Sequence, residues 1–280
     1  MNYTKQILGC LAVAAAMTAC NNPSSQNAPA PADSVATAAL VEENTTYTGD
    51  SATMAAYIAY DSTIKGPRPA VLVVPQWWGL GEYEKKRARQ LAKLGYVAMA
   101  VDVYGDGKVA DNPDSAKAYA GPFYQHPEKA KARIDAAIEK IKTYPQVDTA
   151  NIAAIGYCFG GGILLNCARM GDALKGVVSF HGNLIGVPAR KGVLRTKILV
   201  CQGNADQFVP EKDRVEFKKQ MDSIGADYTF IGYDSATHAF TSPEATAQGL
   251  KFHMPIAYNA KADTASWEAM KSFFATLFHK

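Results

Sequence analysis

The chain has 280 residues, a net charge of +3 and 48% hydrophobic residues. Its length suits one domain with a large core, and its charge is too slight and too evenly spread for a nucleic-acid footprint. The densest basic stretch, 85–89, alternates with polar residues ahead of Leu91, as the solvated face of a helix does.

Lys5, the apolar run 7–19 and Cys20 have the pattern of a bacterial secretion signal, too short to span a bilayer. Met17-Thr18-Ala19-Cys20 resembles a lipobox, in which the Cys becomes the lipidated first residue; the alternative is ordinary cleavage after Ala16 or Ala19. The expectation is an exported protein at the cell envelope, anchored to a membrane through Cys20. Asn21, not Asp, follows that Cys, which points to the outer membrane if the organism is Gram-negative. Residues 1–19 are read as the signal and 20–40, rich in Asn, Pro, Ser and Ala, as a flexible tether. Residues 41–280 are read as one folded domain.

Within that domain, 43–47 and 53–60 form a strand pair across the Thr48-Gly49-Asp50-Ser51 turn. Residues 70–74 are an apolar strand, 84–94 a helix ended by Gly95, and 96–103 a strand. The stretch 105–125 has several Asp, Ala and Tyr and little periodicity; it reads as a flap beside a pocket or as a solvated loop. A helix covers 127–143, with Pro127 in its first turn and Ile134, Ile138 and Ile141 on one face. Strands follow at 151–155, 176–180, 197–202 and 228–233, with helices at 160–170 and 214–224 and a last one from about Asp263 that buries Trp267, Met270, Phe274 and Leu277. Continuous apolar strands alternating with amphipathic helices predict an α/β fold with a mostly parallel sheet covered on both faces.

Gly156-Tyr157-Cys158-Phe159-Gly160 lies where the 151–155 strand turns into a helix. Glycines flank the apex because side chains there would clash, and the G-x-C-x-G pattern is that of a nucleophile elbow with Cys in place of Ser. The helix N-terminus aimed at the thiol favours the thiolate. With Cys10 lost in the signal and Cys20 acylated, Cys158, Cys167 and Cys201 remain, an odd number that is no disulfide framework, and no Cys/His spacing predicts zinc. Cys167 and Cys201 fall at apolar positions expected to be buried.

An elbow nucleophile needs a base and a group to orient the base. In the α/β-hydrolase chain order, acid and then His follow the nucleophile. Asp206, just past the 197–202 strand, and His238, just past the 228–233 strand, satisfy that order at strand C-terminal ends. His253 is the second candidate base. His181 precedes Asp206, so it is either a pocket residue or a structural histidine.

Val74-Pro75-Gln76-Trp77-Trp78-Gly79-Leu80, the Cys158 elbow, Ala205-Asp206 and Thr237-His238-Ala239-Phe240 together resemble the dienelactone hydrolase family. Val101-Asp102-Val103-Tyr104-Gly105 and Ser266-Trp267-Glu268-Ala269-Met270 extend the match over nearly the whole domain. The resemblance implies an α/β-hydrolase fold, a Cys158-His238-Asp206 triad, an oxyanion hole from the Phe159 and Trp77 N–H groups, and no metal or organic cofactor. It implies a small-molecule carboxylic ester or lactone as substrate.

Two departures bear on chemistry. Gln76 stands where the family usually has an acidic residue, and Gln cannot take a proton. No Arg follows His238 to bind a substrate carboxylate, while Trp77, Trp78, Tyr157 and Phe159 give an apolar mouth or plain packing. Gln76, Trp78, Tyr157 and His181 are the expected pocket residues. The alternative to a hydrolase is an envelope scaffold that binds a ligand or partner without turnover. A redox thiol is a third reading, and no local resolving Cys favours it.

Overall fold

A computed structural model describes residues 39–278. The signal, Cys20 and nearly all of the expected tether lie outside the described residues.

The elements are β1 (Leu40–Gly49), β2 (Ala52–Asp61), β3 (Arg68–Val74), α1 (Glu82–Lys93), β4 (Val97–Val101), α2 (Pro113–Gln125), α3 (Pro127–Lys142) and β5 (Val147–Tyr157). There follow α4 (Phe159–Arg169), β6 (Gly176–Phe180), β7 (Lys197–Gly203), α5 (Glu211–Ile224), β8 (Tyr228–Tyr233), α6 (Ala245–Phe252) and α7 (Ala260–Leu277). The strands form one eight-stranded sheet in the order β1-β2-β4-β3-β5-β6-β7-β8. β1 and β2 pair antiparallel, β2 joins β4 antiparallel, and all remaining pairs are parallel. This is the α/β-hydrolase architecture.

Sequence patterns explain these elements. Asp50 and Ser51 both adopt positive φ in the two-residue turn that closes Gly49 on Ala52, the conformation that matches the twist of a hairpin. The inner strands are buried on both faces, so β4, residues 70–74 of β3, and most of β6 and β7 read as apolar runs. Two cores result. One packs α3, α4 and α5 residues such as Ile134, Leu164 and Phe217 on one face. The other packs α1 and α7 residues such as Leu91, Met270 and Phe274 on the opposite face.

Three stretches differ from the sequence reading. The expected flap at 105–125 is a helix over most of its length: the Asn112 side chain accepts the Ser115 N–H at its start, and Ala116, Ala120 and Phe123 are buried along one side. Its small apolar residues gave too weak a periodicity to be read. α6 is a further helix in a segment expected to be irregular, and it ends at His253 in the left-handed conformation. α7 begins before Asp263, because the Asn259 side chain caps it by accepting the Ala262 N–H.

The sheet places the site. β3 lies between β4 and β5, so the chain leaves β3 to one side and later crosses to the other. Such a reversal opens a crevice at the strand C-terminal ends. The loops after β3, β5, β6, β7 and β8 carry Trp77, Cys158, His181, Asp206 and His238, all at that edge.

Candidate active site

At the end of β5 the chain turns within one residue into α4. Cys158 takes φ 52° and ψ −112°, a strained conformation for any side-chain residue, and strain of this kind gathers at functional sites. The turn requires its glycines: a Cβ on Gly156 would strike the Gly160 backbone, and a Cβ on Gly160 would strike the carbonyls of Val74 and Pro75. The Cys158 N–H donates to the Phe180 carbonyl at 2.9 Å, which ties the apex to β6.

The structure brings Cys158, His238 and Asp206 into one hydrogen-bonded line. His238 Nε2 lies 3.0 Å from Cys158 Sγ, and His238 Nδ1 lies 2.8 Å from Asp206 Oδ2. Asp206 is itself held: Gln202 Nε2 donates to Oδ2 at 2.8 Å and the Phe208 N–H to Oδ1 at 2.9 Å. The loops after β7 and β8 are joined by Asn204 N–H to Tyr233 O (2.9 Å) and Ala205 N–H to Ala236 O (3.0 Å), so the Asp206–His238 geometry is fixed by backbone. Burial pushes the His238 imidazolium toward its neutral form, but the adjacent Cys158 and Asp206 outweigh it and raise its pKa to about 10. The carboxylate and the sulfur on either side of the ring thus favour its protonated form.

Two backbone amides border the same cavity. Phe159 is the first residue of α4, so its N–H has no intrahelical acceptor. Among the described residues the Trp77 N–H also has no protein acceptor. Its loop is held at several points. Gly79 N–H donates to Gln76 O at 3.1 Å, fixing the peptide plane that carries the Trp77 N–H. Gly160 N–H donates to Pro75 O at 3.0 Å, and Tyr104 Oη–H donates to Trp77 O at 2.8 Å. Gly79 has φ 93°, and a Cβ there would lie 2.6 Å from the Lys108 carbonyl, so only Gly fits.

The buried Glu84 carboxylate reaches back from α1 to accept the N–H groups of Gln76 (3.3 Å) and Gly81 (2.9 Å). Burial raises its pKa to about 7. The spacing from Gly81 at the helix start to Glu84 three residues on is a capping-box signal that the sequence reading passed over.

Cys158 and His238 open into a cavity of about 230 Å³. Its walls are Trp77, Trp78, Tyr124, Phe159, Phe208, Val209, Ala239, Met254 and Ile256, with Gln76 and Asn183 as polar members besides the reacting pair. Among the described residues no Lys or Arg lines it. Gln76 and Trp78 are thus on the wall as expected. Tyr157 and His181 are not. Tyr157 is fully buried, stacked on Phe180 at 4.8 Å with Arg87 over its ring, because its side chain projects from β5 into the α1/α7 core. His181 is also fully buried, beneath the elbow, with Nδ1 accepting the Cys158 N–H at 3.1 Å. His253, at the end of α6, does not line the cavity.

Tyr124, Asn183, Met254 and Ile256 were not foreseen, since they come from α2, the loop after β6 and the segment after α6, all remote in sequence from the elbow. Phe208, two residues past Asp206, packs edge-on against the His238 ring at 5.1 Å and was legible only as a neighbour. Cys167 and Cys201 are buried and all three described cysteines are free thiols. Among the described residues no cluster of His, Cys, Asp or Glu could hold a metal ion.

Comparison with known proteins adds to this geometry. The model of the dienelactone hydrolase family matches residues 54–278. A Methylorubrum extorquens protein named "Putative carboxymethylenebutenolidase" is 28% identical over 220 residues, covering 75% of this chain and 72% of its own. An uncharacterized Caenorhabditis elegans protein is 34% identical over 154 residues, covering 54% of this chain and 95% of its own. The crystal structure of a dienelactone hydrolase-like promiscuous phosphotriesterase from metagenomic libraries superposes with a TM-score of 0.80 at 32% identity, covering 86% of this chain and all (100%) of that one.

Proposed function

Because the chain belongs to the dienelactone hydrolase family, and is a carboxylic ester or lactone hydrolase, we propose that it cleaves uncharged esters or lactones through a Cys158 thioester. The observation that carries this reading is His238 bridging Cys158 and Asp206 at the base of an uncharged cavity.

His238 takes the Cys158 proton across their 3.0 Å contact, leaving a thiolate. The thiolate attacks the substrate carbonyl carbon and the carbonyl electrons pass to oxygen. The free N–H groups of Phe159 and Trp77 receive that oxyanion. As the tetrahedral intermediate collapses, the bond to the leaving alkoxide breaks and His238 gives it its proton. The thioester carries no charge, so one of the causes that raised the His238 pKa is gone. His238 is then neutral enough to take a proton from water as the hydroxide attacks the thioester. Collapse releases the acid and expels the Cys158 sulfur, which takes its proton back from His238. Asp206 holds the imidazole tautomer with Nδ1–H and stabilises its charge throughout. Gln76 on the wall cannot exchange a proton in this sequence, which leaves activation to His238 and the α4 N-terminus.

The uncharged wall favours a substrate without a carboxylate near the scissile bond, since an anion there would be desolvated without a partner. A neutral aryl phosphotriester meets the same condition, and the name of the metagenomic relative supports including one in the substrate panel. The deciding experiment is hydrolysis of a small aryl ester by wild type and Cys158→Ala, with mass spectrometry of the wild type quenched during turnover. The expected result is an acyl adduct on Cys158 and loss of turnover in the variant. An active Cys158→Ala would sink the reading.

We also propose that the enzyme works at the cell envelope, anchored through Cys20. Radiolabelled palmitate should enter the wild-type chain and not Cys20→Ala; equal labelling, or none in either, argues against the anchor.

A further inference from the structure

We infer that His181 is a positioning residue for the nucleophile, its Nδ1 accepting the Cys158 N–H and so fixing the elbow that presents the thiol. This rests on Cys158 being the nucleophile. Among the described residues no side chain but His181 bonds the backbone of the apex, and it lies outside the cavity, 0% exposed, where no substrate reaches it.

The hydrogen bonds around His181 allow one proton arrangement. Nδ1 faces the Cys158 N–H at 3.1 Å, so it must be an acceptor. The ring proton then sits on Nε2, 2.8 Å from Thr241 Oγ1, which accepts it. Thr241 is held in turn by the Tyr83 hydroxyl at 2.7 Å and by Arg87, whose Nη2 donates to the Thr241 carbonyl at 3.0 Å and pairs with Asp263. The chain of contacts thus runs from Asp263 on α7 through Arg87 and Tyr83 on α1 to Thr241, His181 and the nucleophile's own amide. Every group in it is buried or half-buried. The Cys158 N–H is shared with the Phe180 carbonyl at 2.9 Å, so His181 adds a second, side-chain hold on the amide that β6 already ties down.

A second proton on His181 would set an N–H against the Cys158 N–H. It would also place a cation near Arg87 and against the His238 imidazolium, whose ring centroid is 5.2 Å away. Tyr83 and Tyr157, the other titratable groups around it, are buried with pKa values raised far above neutrality and supply no compensating charge. Burial first, then the His238 charge, hold the His181 pKa well below its ordinary value. Cys158 at φ 52° and His181 at φ 41° are both in the left-handed region. Two adjacent strained turns that meet in one hydrogen bond support each other, and the oxyanion amide of Phe159 follows directly from the Cys158 backbone.

The test uses the full chain with His181→Asn, His181→Gln and His181→Leu, beside wild type and Cys158→Ala. The Asn carbonyl oxygen falls near the position of Nδ1, and Asn tolerates a positive φ. The Gln oxygen falls near Nε2 instead. The expected result is that His181→Asn keeps kcat within about fivefold of wild type. His181→Gln and His181→Leu should lose about 30-fold or more in kcat with KM little changed, as a misplaced reacting group does. Equal losses in Asn and Gln variants that simply follow their melting temperatures would overturn the inference, as would a His181→Gln enzyme at wild-type kcat. A fully active Cys158→Ala would instead overturn the underlying nucleophile reading. Should the Gln and Leu variants not fold, nitrogen-15 NMR of the wild-type imidazoles decides. His181 must be neutral with its proton on Nε2 from about pH 6 to 8, and an imidazolium or an Nδ1–H tautomer there refutes the role.

Discussion

Two imidazoles stand on opposite sides of Cys158, and their surroundings push them in opposite directions. His238, on the loop after β8, meets the sulfur and a carboxylate, and its pKa rises to about 10. His181, on the turn after β6, meets an amide and a hydroxyl, and its pKa falls well below the ordinary value. His181 is fully buried and the His238 side chain is only 12% exposed, so burial alone does not distinguish them. Burial drives a titratable group to its neutral form, and only a specific opposite charge reverses that. Glu84, buried without a cationic partner, obeys the same rule in the other sense and rises to about 7. The Cys158–His238–Asp206 line is electrostatically built, and the histidine beneath the elbow is kept neutral.

Asp206→Asn strikes this contrast hardest. It removes the counter-charge from His238 and leaves the geometry, so kcat should fall roughly 10⁴-fold. The NMR-measured His238 pKa should fall toward that of His181; an unchanged pKa would mean the carboxylate does not set the difference. Thr241→Val acts on the floor instead. Removing the acceptor for His181 Nε2–H should lower stability by about 1–3 kcal/mol and kcat about tenfold, with His238 titration unmoved. Denaturant melts and steady-state kinetics separate the two effects.

Glu84→Gln tests the neutral-form rule by pH. The folded-state pKa of Glu84 is raised above its unfolded value, so its protonation stabilises the fold below about pH 4.5 and that contribution is lost as pH rises through about 7. Wild type should therefore lose stability relative to the variant over this window by about 1–3 kcal/mol. Parallel stability curves from pH 4 to 8 would contradict the burial account. The smallest effect is expected at the mouth. Phe208, 53% exposed against the His238 ring, covers the imidazole only from outside. Phe208→Ala should raise KM about threefold and leave kcat and stability nearly unchanged. A large fall in kcat there would show that the outer wall, too, tunes His238.

The elbow was legible because it is local: a strand, a small-residue apex and a helix lie within one short stretch, and the glycines are required by backbone contacts of the turn itself. Asp206 and His238 were legible because chain order and strand ends are sequence properties. Tyr157 and His181 were placed on the pocket wall for being next to the elbow or at a strand end. Proximity in sequence does not say which face of the sheet a side chain enters, and both point under the elbow. The wall residues Tyr124, on α2, and Met254 and Ile256, just after α6, were hidden because small or mixed residues give those segments weak periodicity.

By itself the sequence determined the sheet's alternating pattern, the elbow and the order of nucleophile, acid and base, since these depend on spacing along one chain. Tertiary structure alone decided which loops meet at the strand ends, that the wall carries no charge, and that the surroundings of the two histidines push their pKa values in opposite directions. Those properties depend on distances between residues far apart in the chain, and a one-dimensional pattern does not contain them.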